Sequence, residues 1–142
     1  MPSNYDYLMY VPIFADLTEE TIQKIASVGF SKRYAKDEVI FREDDPGTAM
    51  FVILTGKVKV VRTSGDGREV ILAILSQYDF FGEMALLDGL SRSASVLAIE
   101  DSELFIIHRE DFLNLLKQYP EISINLMQEL TQRLRAADLK IK

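Results

Sequence analysis

The sequence predicts a mainly β domain with helices at both ends, and three observations carry that expectation. First, from Tyr34 to Ile107 the apolar residues fall in short runs rich in β-branched and aromatic side chains: Val39 and Phe41, Met50–Leu54, Val58 and Val60, Val70–Leu75, Ala94, Val96 and Ala98, and Leu104–Ile107. Second, turn-forming clusters separate these runs, namely Asp45-Pro46-Gly47, Thr55-Gly56, Gly65-Asp66-Gly67 and Glu100-Asp101-Ser102. Short strands with regular turn punctuation mean an antiparallel sandwich or barrel. Third, helix signals flank the region on both sides, so one domain divides into an N-terminal helical segment (1–33), a β region (34–107) and C-terminal helices (109–142).

The first helix is announced by Leu17-Thr18-Glu19-Glu20. Thr18 is a suitable N-cap, and the two glutamates sit at the positive end of the helix dipole. Leu17 and Ile22 have the spacing of a hydrophobic staple. The helix is expected to end near Val28, with Gly29 as its C-terminal stop. Among the strands, the alternation in Lys57-Val58-Lys59-Val60 predicts one wet face, whereas the unbroken run Val70–Leu75 reads as a strand buried on both faces.

Two helices close the chain. Arg109–Gln118 is expected to pack through Phe112, Leu113 and Leu116, and Pro120 suits the first position of a last helix running to the C-terminus. Met127, Leu130, Leu134, Ala137 and Ile141 follow a 3-4-3-4 spacing along that helix. Such a seam either lies on the domain's own core or pairs with a second copy, and its position at the end of the chain favours a homodimer.

The chain has 142 residues, 48% hydrophobic and 27% charged, which suits a soluble globular domain with a real core. It has no cysteine and one histidine, His108, so disulfides, iron–sulfur clusters and thiolate or multi-histidine metal sites are not expected. No metal and no resident cofactor is therefore predicted. The net charge of −6 makes it a poor candidate to grip DNA alone. The longest apolar runs, Ala49–Leu54 and Val70–Leu75, fall far short of the roughly twenty residues a membrane span needs. The N-terminus has no cationic start and no signal-peptide pattern, so the cytoplasm is the expected compartment and no membrane partner is expected.

The stretch Gly82-Glu83-Met84-Ala85-Leu86-Leu87, followed by Arg92-Ser93, carries the chemistry. Glu83–Leu87 reads as a short helix, with Gly82 letting the backbone approach a ligand closely. A helix start offers free N–H groups to an anion. Arg92 supplies a planar fork suited to phosphate oxygens, and Ser93 adds a hydroxyl. Glu83 can accept from a sugar hydroxyl or from Arg92. Donors for an anion beside an acceptor for a hydroxyl suit a sugar phosphate, although a purely structural Glu83–Arg92 ion pair also accounts for two of these residues.

These residues, with Arg92-Ser93-Ala94-Ser95-Val96, closely resemble the phosphate-binding cassette of cyclic-nucleotide-binding domains. The resemblance extends to Asp45-Pro46-Gly47, Gly56, the Asp66-Gly67 turn and Asp79-Phe80-Phe81. The Arg-Ser version, together with the helix Gln132-Arg133-Leu134-Arg135-Ala136-Ala137-Asp138, is most similar to bacterial transcription regulators of the CRP/FNR type. The resemblance implies an antiparallel, jelly-roll-like β-roll with an N-terminal helix, a short cassette helix and a long C-terminal dimerisation helix. It implies a cyclic nucleotide as effector, cyclic AMP before cyclic GMP, and no catalytic residue. Glu83 would bond the ribose 2′-hydroxyl. Arg92, Ser93 and the backbone near Gly82, Met84 and Ala85 would hold the cyclic phosphate. Val60, Leu72, Ala73 and Phe81 would flank base and sugar; Leu72, Phe81 and Val60 also read as core residues.

Four positions depart from the family pattern. Ala137 and Asp138 stand where the nucleotide-responsive activator carries hydroxyl residues that touch the base. Asp44 and Tyr78 stand where many relatives have glycine. The resemblance implies a DNA-reading helix-turn-helix after this segment, which the sequence does not contain. The chain is expected to be either a truncated sensory domain, reaching DNA only through a further C-terminal domain, or a protein that acts without DNA. The stop within a helical pattern at Lys140-Ile141-Lys142 favours truncation. Two other classes compete with a nucleotide sensor. A cupin-like enzyme needs a metal-ligand cluster, which one histidine and no cysteine do not supply. A dimerisation or partner-binding module needs only the roll and the seam, and would sense another small anion or none.

Overall fold

The computed structural model describes residues 3–141, with side chains followed as far as Ala137 in the last helix. The chain opens with a short helix α1 (Asn4–Leu8) and a 3-10 turn (Pro12–Phe14), then α2 (Glu19–Val28). Eight strands follow: β1 (Phe30–Tyr34), β2 (Val39–Phe41), β3 (Ala49–Thr55), β4 (Val58–Thr63), β5 (Glu69–Leu75), β6 (Phe80–Phe81), β7 (Ser95–Ala98) and β8 (Ser102–His108). The helix α3 (Glu83–Asp88) lies between β6 and β7, and α4 (Arg109–Gln118) and α5 (Pro120–Ile141) close the chain. The strands form two four-stranded antiparallel sheets, in the orders β1-β8-β3-β6 and β2-β7-β4-β5.

The first sheet is a wall between two cores. On one side Met50, Val52 and Leu54 of β3 and Phe105 and Ile107 of β8 pack with the helices, through Ile13, Phe14, Ile25, Phe112, Leu115, Ile122 and Leu126. On the other, Ala49, Phe51, Ile53, Leu104 and Ile106 meet Val58, Val96 and Ala98 of the second sheet. Burial on both faces is why Ala49–Leu54 is continuously apolar.

Several expectations hold at the residue level. The Thr18 hydroxyl accepts from the Thr21 N–H at 3.2 Å, and Pro120 is the first residue of α5. Other expectations are corrected. Strand structure begins at Phe30 rather than Tyr34, because the exposed residues Phe30–Arg33 pair with β8. Gly29 does end α2 after Val28 as expected, and it does so in extended backbone (φ −109°, ψ −177°). Its glycine is required by packing: a Cβ there would lie 2.4 Å from the Phe105 ring. In α4 the deeply buried residues are Phe112 and Leu115, while Leu113 and Leu116 are half-buried.

The largest correction concerns β5. It is an edge strand, and Val70, Ile71, Leu72 and Ile74 are 45–60% exposed rather than buried. At Leu72 the ladder skips a residue, since Val60 pairs with Ala73 and Val61 with Ile71. Leu72 is therefore not a core residue.

Candidate functional site

The site is built where β6 runs into α3. Phe80 and Phe81 pair with Val52 and Phe51 of β3, which fixes the chain before Gly82. Gly82 caps α3 with φ +85°, a left-handed conformation that glycine adopts without a Cβ penalty. Its carbonyl then points back to the Arg92 guanidinium.

Glu83 follows with its side chain nearly enclosed, 3% exposed overall. One carboxylate oxygen accepts from the Met84 N–H at 3.1 Å, and the other accepts from Arg133 Nη1 at 3.1 Å. Burial pushes the Glu83 carboxyl above the ordinary carboxylate range. Arg133, the backbone N–H groups of Glu83 and Met84, and Arg92 oppose that shift. The Arg133 guanidinium also donates to the Phe80 carbonyl at 2.6 Å and lies 4.1 Å above the Phe80 ring. One arginine of the closing helix thus ties α5 to the cassette.

Arg92 is 5% exposed and does not pair with Glu83. Nη1 donates to the Gly82 carbonyl and Nη2 to the Ala49 carbonyl, each at 2.5 Å. The backbone at Arg92 exchanges two hydrogen bonds with the β2–β3 loop: Asp44 N–H to the Arg92 carbonyl at 2.9 Å, and Arg92 N–H to the Asp45 carbonyl at 2.8 Å. Burial lowers the guanidinium's pKa, opposed by Glu83 and Asp45, and the group stays charged. Asp44 makes its turn with φ +73° and Tyr78 makes its own with φ +74°, so both turns adopt the left-handed conformation without glycine.

The other expected residues fall into two groups. Phe81 is buried and stacked on Phe51 at 5.1 Å, and Ala85 is buried against Gly47. Val60 and Ala73 are cross-strand partners in the second sheet, both half-buried. Met84 is 57% exposed, and Ser93 is exposed one residue beyond Arg92. Leu72 lies on the exposed edge strand, apart from the buried cassette. Along α5, Met127, Leu134 and Ala137 are exposed, as is Ile124, while Leu130 packs partly on its own domain's core. The side chains of Asp138 and Ile141 lie outside the described residues.

Sequence reading alone missed Arg133, Phe41 and Gly47 as parts of the site. Arg133 carried one usable signal: it stands one helical turn before Ala137, the position already aligned with a base contact.

The site thus consists of a β-roll with a helical cassette on one sheet and a closing helix fastened to that cassette by an ion pair. A family model of the cyclic nucleotide-binding domain matches residues 31–119, and the chain belongs to that family. It is 40% identical over 130 residues to the cyclic AMP receptor protein of Thermus thermophilus, covering 92% of this chain and 60% of that protein. A cGMP-dependent protein kinase of Caenorhabditis briggsae is 40% identical over 113 residues, covering 78% of this chain and 15% of the kinase. Among solved structures, the Thermus thermophilus catabolite activator protein superposes with a TM-score of 0.84 at 40% identity, covering 92% of this chain and 61% of that one. A cyclic nucleotide-binding domain from Methylobacillus flagellatus superposes with a TM-score of 0.83 at 27% identity, covering 96% and 79%. The chain spans about three fifths of the regulator it matches over nearly its whole length. Among the described residues, no helix is long and apolar enough to cross a membrane.

Proposed function

We propose that the chain is the sensory domain of a CRP-type transcription regulator. It binds a cyclic purine mononucleotide, cyclic AMP in preference to cyclic GMP, and transmits binding through α5 to a DNA-binding output. The observation that carries this reading is the contact between the buried Glu83 carboxylate and Arg133 of α5. The acceptor offered to a ribose hydroxyl is already engaged by the helix that leads out of the domain. A ligand hydroxyl arriving at Glu83 changes what Arg133 can hold, and a ligand moves an equilibrium only by favouring one arrangement over the other. Arg92 supplies the charge for the phosphate. Domain and signal are non-catalytic in this reading, and the protein works in the cytoplasm as a homodimer. The exposed apolar residues Ile124, Met127 and Leu134 on α5 support the dimer. Cyclic AMP comes first because the regulator similar over 92% of this chain is named for it; the kinase similarity keeps cyclic GMP in the comparison.

Calorimetric titration of the chain with cyclic AMP and cyclic GMP tests the reading. Charge-assisted hydrogen bonds to a guanidinium are worth about 1.5–3 kcal/mol, so Arg92→Ala should weaken cyclic AMP binding at least tenfold in a folded protein. Unchanged affinity in that variant refutes the phosphate role. No binding of either nucleotide by the parent leaves the roll as a dimerisation or partner-binding module.

A further inference from the structure

We propose that Phe41 is a positioning residue for Arg92, setting the plane in which its guanidinium meets the ligand anion. This role rests on reading Arg92 as the phosphate-binding group. Phe41 belongs to the short strand β2 of the second sheet, whereas Arg92 follows the cassette helix. The guanidinium carbon lies 4.0 Å above the centroid of the Phe41 ring and 5.9 Å from that of Phe51. Phe41 is itself braced, with its centroid 5.7 Å from Phe51 and 5.9 Å from Phe81, and those two rings are stacked on each other.

A guanidinium has five N–H donors, all in its plane. Two of the Arg92 donors are taken by the Gly82 and Ala49 carbonyls. The Nε–H is buried and has no partner among the described residues. Buried donors are nearly always bonded, so an unpaired one beside a ligand site calls for an acceptor from outside the chain. The two carbonyls hold the end of the fork, but they do not fix rotation about the line joining them. A ring against one face does, because a cation is drawn to the face of an aromatic ring and a planar cation stacks flat on it. Phe41 thereby aims the remaining donors, Nε–H included, along one direction. An aliphatic side chain of similar size fills the space without imposing that plane.

The test combines ligand titration with a measurement that needs no ligand. Cyclic AMP is titrated into the parent, Phe41→Leu, Phe41→Tyr, Arg92→Lys and the Phe41→Leu/Arg92→Lys double variant. Phe41→Leu should weaken binding about tenfold, or ~1.4 kcal/mol, while Phe41→Tyr keeps the ring and the affinity. In the Arg92→Lys background the leucine substitution should cost less than about twofold, ~0.4 kcal/mol. In parallel, nitrogen-15 spectra of the ligand-free chain should contain a slowly exchanging arginine Nε–H, identified by its loss in Arg92→Lys. That resonance should persist in Phe41→Tyr and shift and exchange faster in Phe41→Leu; Phe41→Met carries the same test if the leucine variant unfolds. An equal loss of affinity in both backgrounds, or an Nε–H unchanged in Phe41→Leu, overturns the assignment. A parent that binds no cyclic nucleotide refutes the proposed function, and the Nε–H spectra still decide the role of Phe41.

Discussion

Replacing Gly47 by alanine is the smallest change that should displace the cassette. Gly47 is not in the left-handed region, so alanine meets no backbone strain there; what it meets is Ala85 of α3. A Cβ on Gly47 would lie 2.1 Å from the Ala85 Cβ. Carbon atoms rest about 3.5–4.0 Å apart, so loop and helix must separate by roughly 1.5 Å. Glu83 begins that helix, and its bond to Arg133 is 3.1 Å long, so a shift of that size breaks it unless α5 follows. Overpacking of this kind costs about 1–3 kcal/mol. We expect cyclic AMP affinity to fall about tenfold to a hundredfold, or roughly 1.4–2.7 kcal/mol. The assay is a double-mutant cycle in stability and affinity with Gly47→Ala, Ala85→Gly and the pair. Ala85→Gly alone should cost about 1 kcal/mol in helix propensity and about 0.8 kcal/mol for the buried methyl group. It should also remove the clash, so the double variant should cost at least ~1 kcal/mol less than the sum of the single effects. Additivity within about 0.5 kcal/mol, or a Gly47→Ala protein with parental stability and affinity, refutes the clamp.

Three further outcomes follow from the site and the closing helix. Arg133→Ala leaves Glu83 buried without its counter-ion. Because Arg133 is more than a third exposed, the loss should sit near the low end of the charged hydrogen-bond range, ~1.5 kcal/mol, and lower the melting midpoint by roughly 3–6 °C; an unchanged midpoint contradicts the coupling. The Glu83 carboxyl titrates above its ordinary range because it is buried, so the folded state holds the proton more tightly than the unfolded chain. That contribution to stability is full below the unfolded-state pKa and is lost as pH rises through the folded-state value. Urea midpoints of the parent relative to Glu83→Gln should therefore improve as pH falls from about 7 to about 4, and a flat or opposite trend counts against the burial account. Leu134→Asp should convert a dimeric parent to monomer in light scattering, since a buried interface does not tolerate an unpaired charge; a variant that stays dimeric places the interface elsewhere.

Features legible in the sequence were those whose cause is local. The cap at Thr18, the cassette helix and the proline start of α5 each depend on a few neighbouring residues. What failed depended on distant partners. The run Val70–Leu75 reveals apolar character but not what covers it, and at a sheet edge four of its side chains stay 45–60% exposed. Phe30–Arg33 has no strand-like alternation of its own and becomes a strand by pairing with β8. In the candidate site, Glu83 and Arg92 were singled out from the sequence, yet their partners were not. Arg133 meets Glu83 from fifty residues away, and the Ala49 carbonyl meets Arg92 across forty-three. No periodicity in either segment announces such a meeting. The glycine-to-aspartate and glycine-to-tyrosine departures at Asp44 and Tyr78 leave both turns left-handed, because the bonds on either side hold them: Asp44 N–H to Arg92, and Tyr78 N–H to the Ile53 carbonyl at 2.8 Å.

The fastening of α5 is unequal along its length. Its first turns are pinned by the buried Ile122 and Leu126 and by Asn125, whose amide donates to the Ile13 and Ala15 carbonyls at 3.2 and 3.0 Å. Farther along, the described polar attachment is Arg133. In the proposed reading the helix is a lever whose fulcrum is its first turns and whose polar latch, among the described residues, is Arg133. At about 1.5 Å per residue, the arm from Leu126 to Ile141 is roughly 22 Å long, so a tilt of about 10° swings its tip by roughly 4 Å. The same tilt moves the latch, seven residues from the fulcrum, by only about 2 Å. Displacement about the size of one hydrogen bond at the cassette thus emerges about doubled at the end of the helix, with no part of the roll having to rearrange.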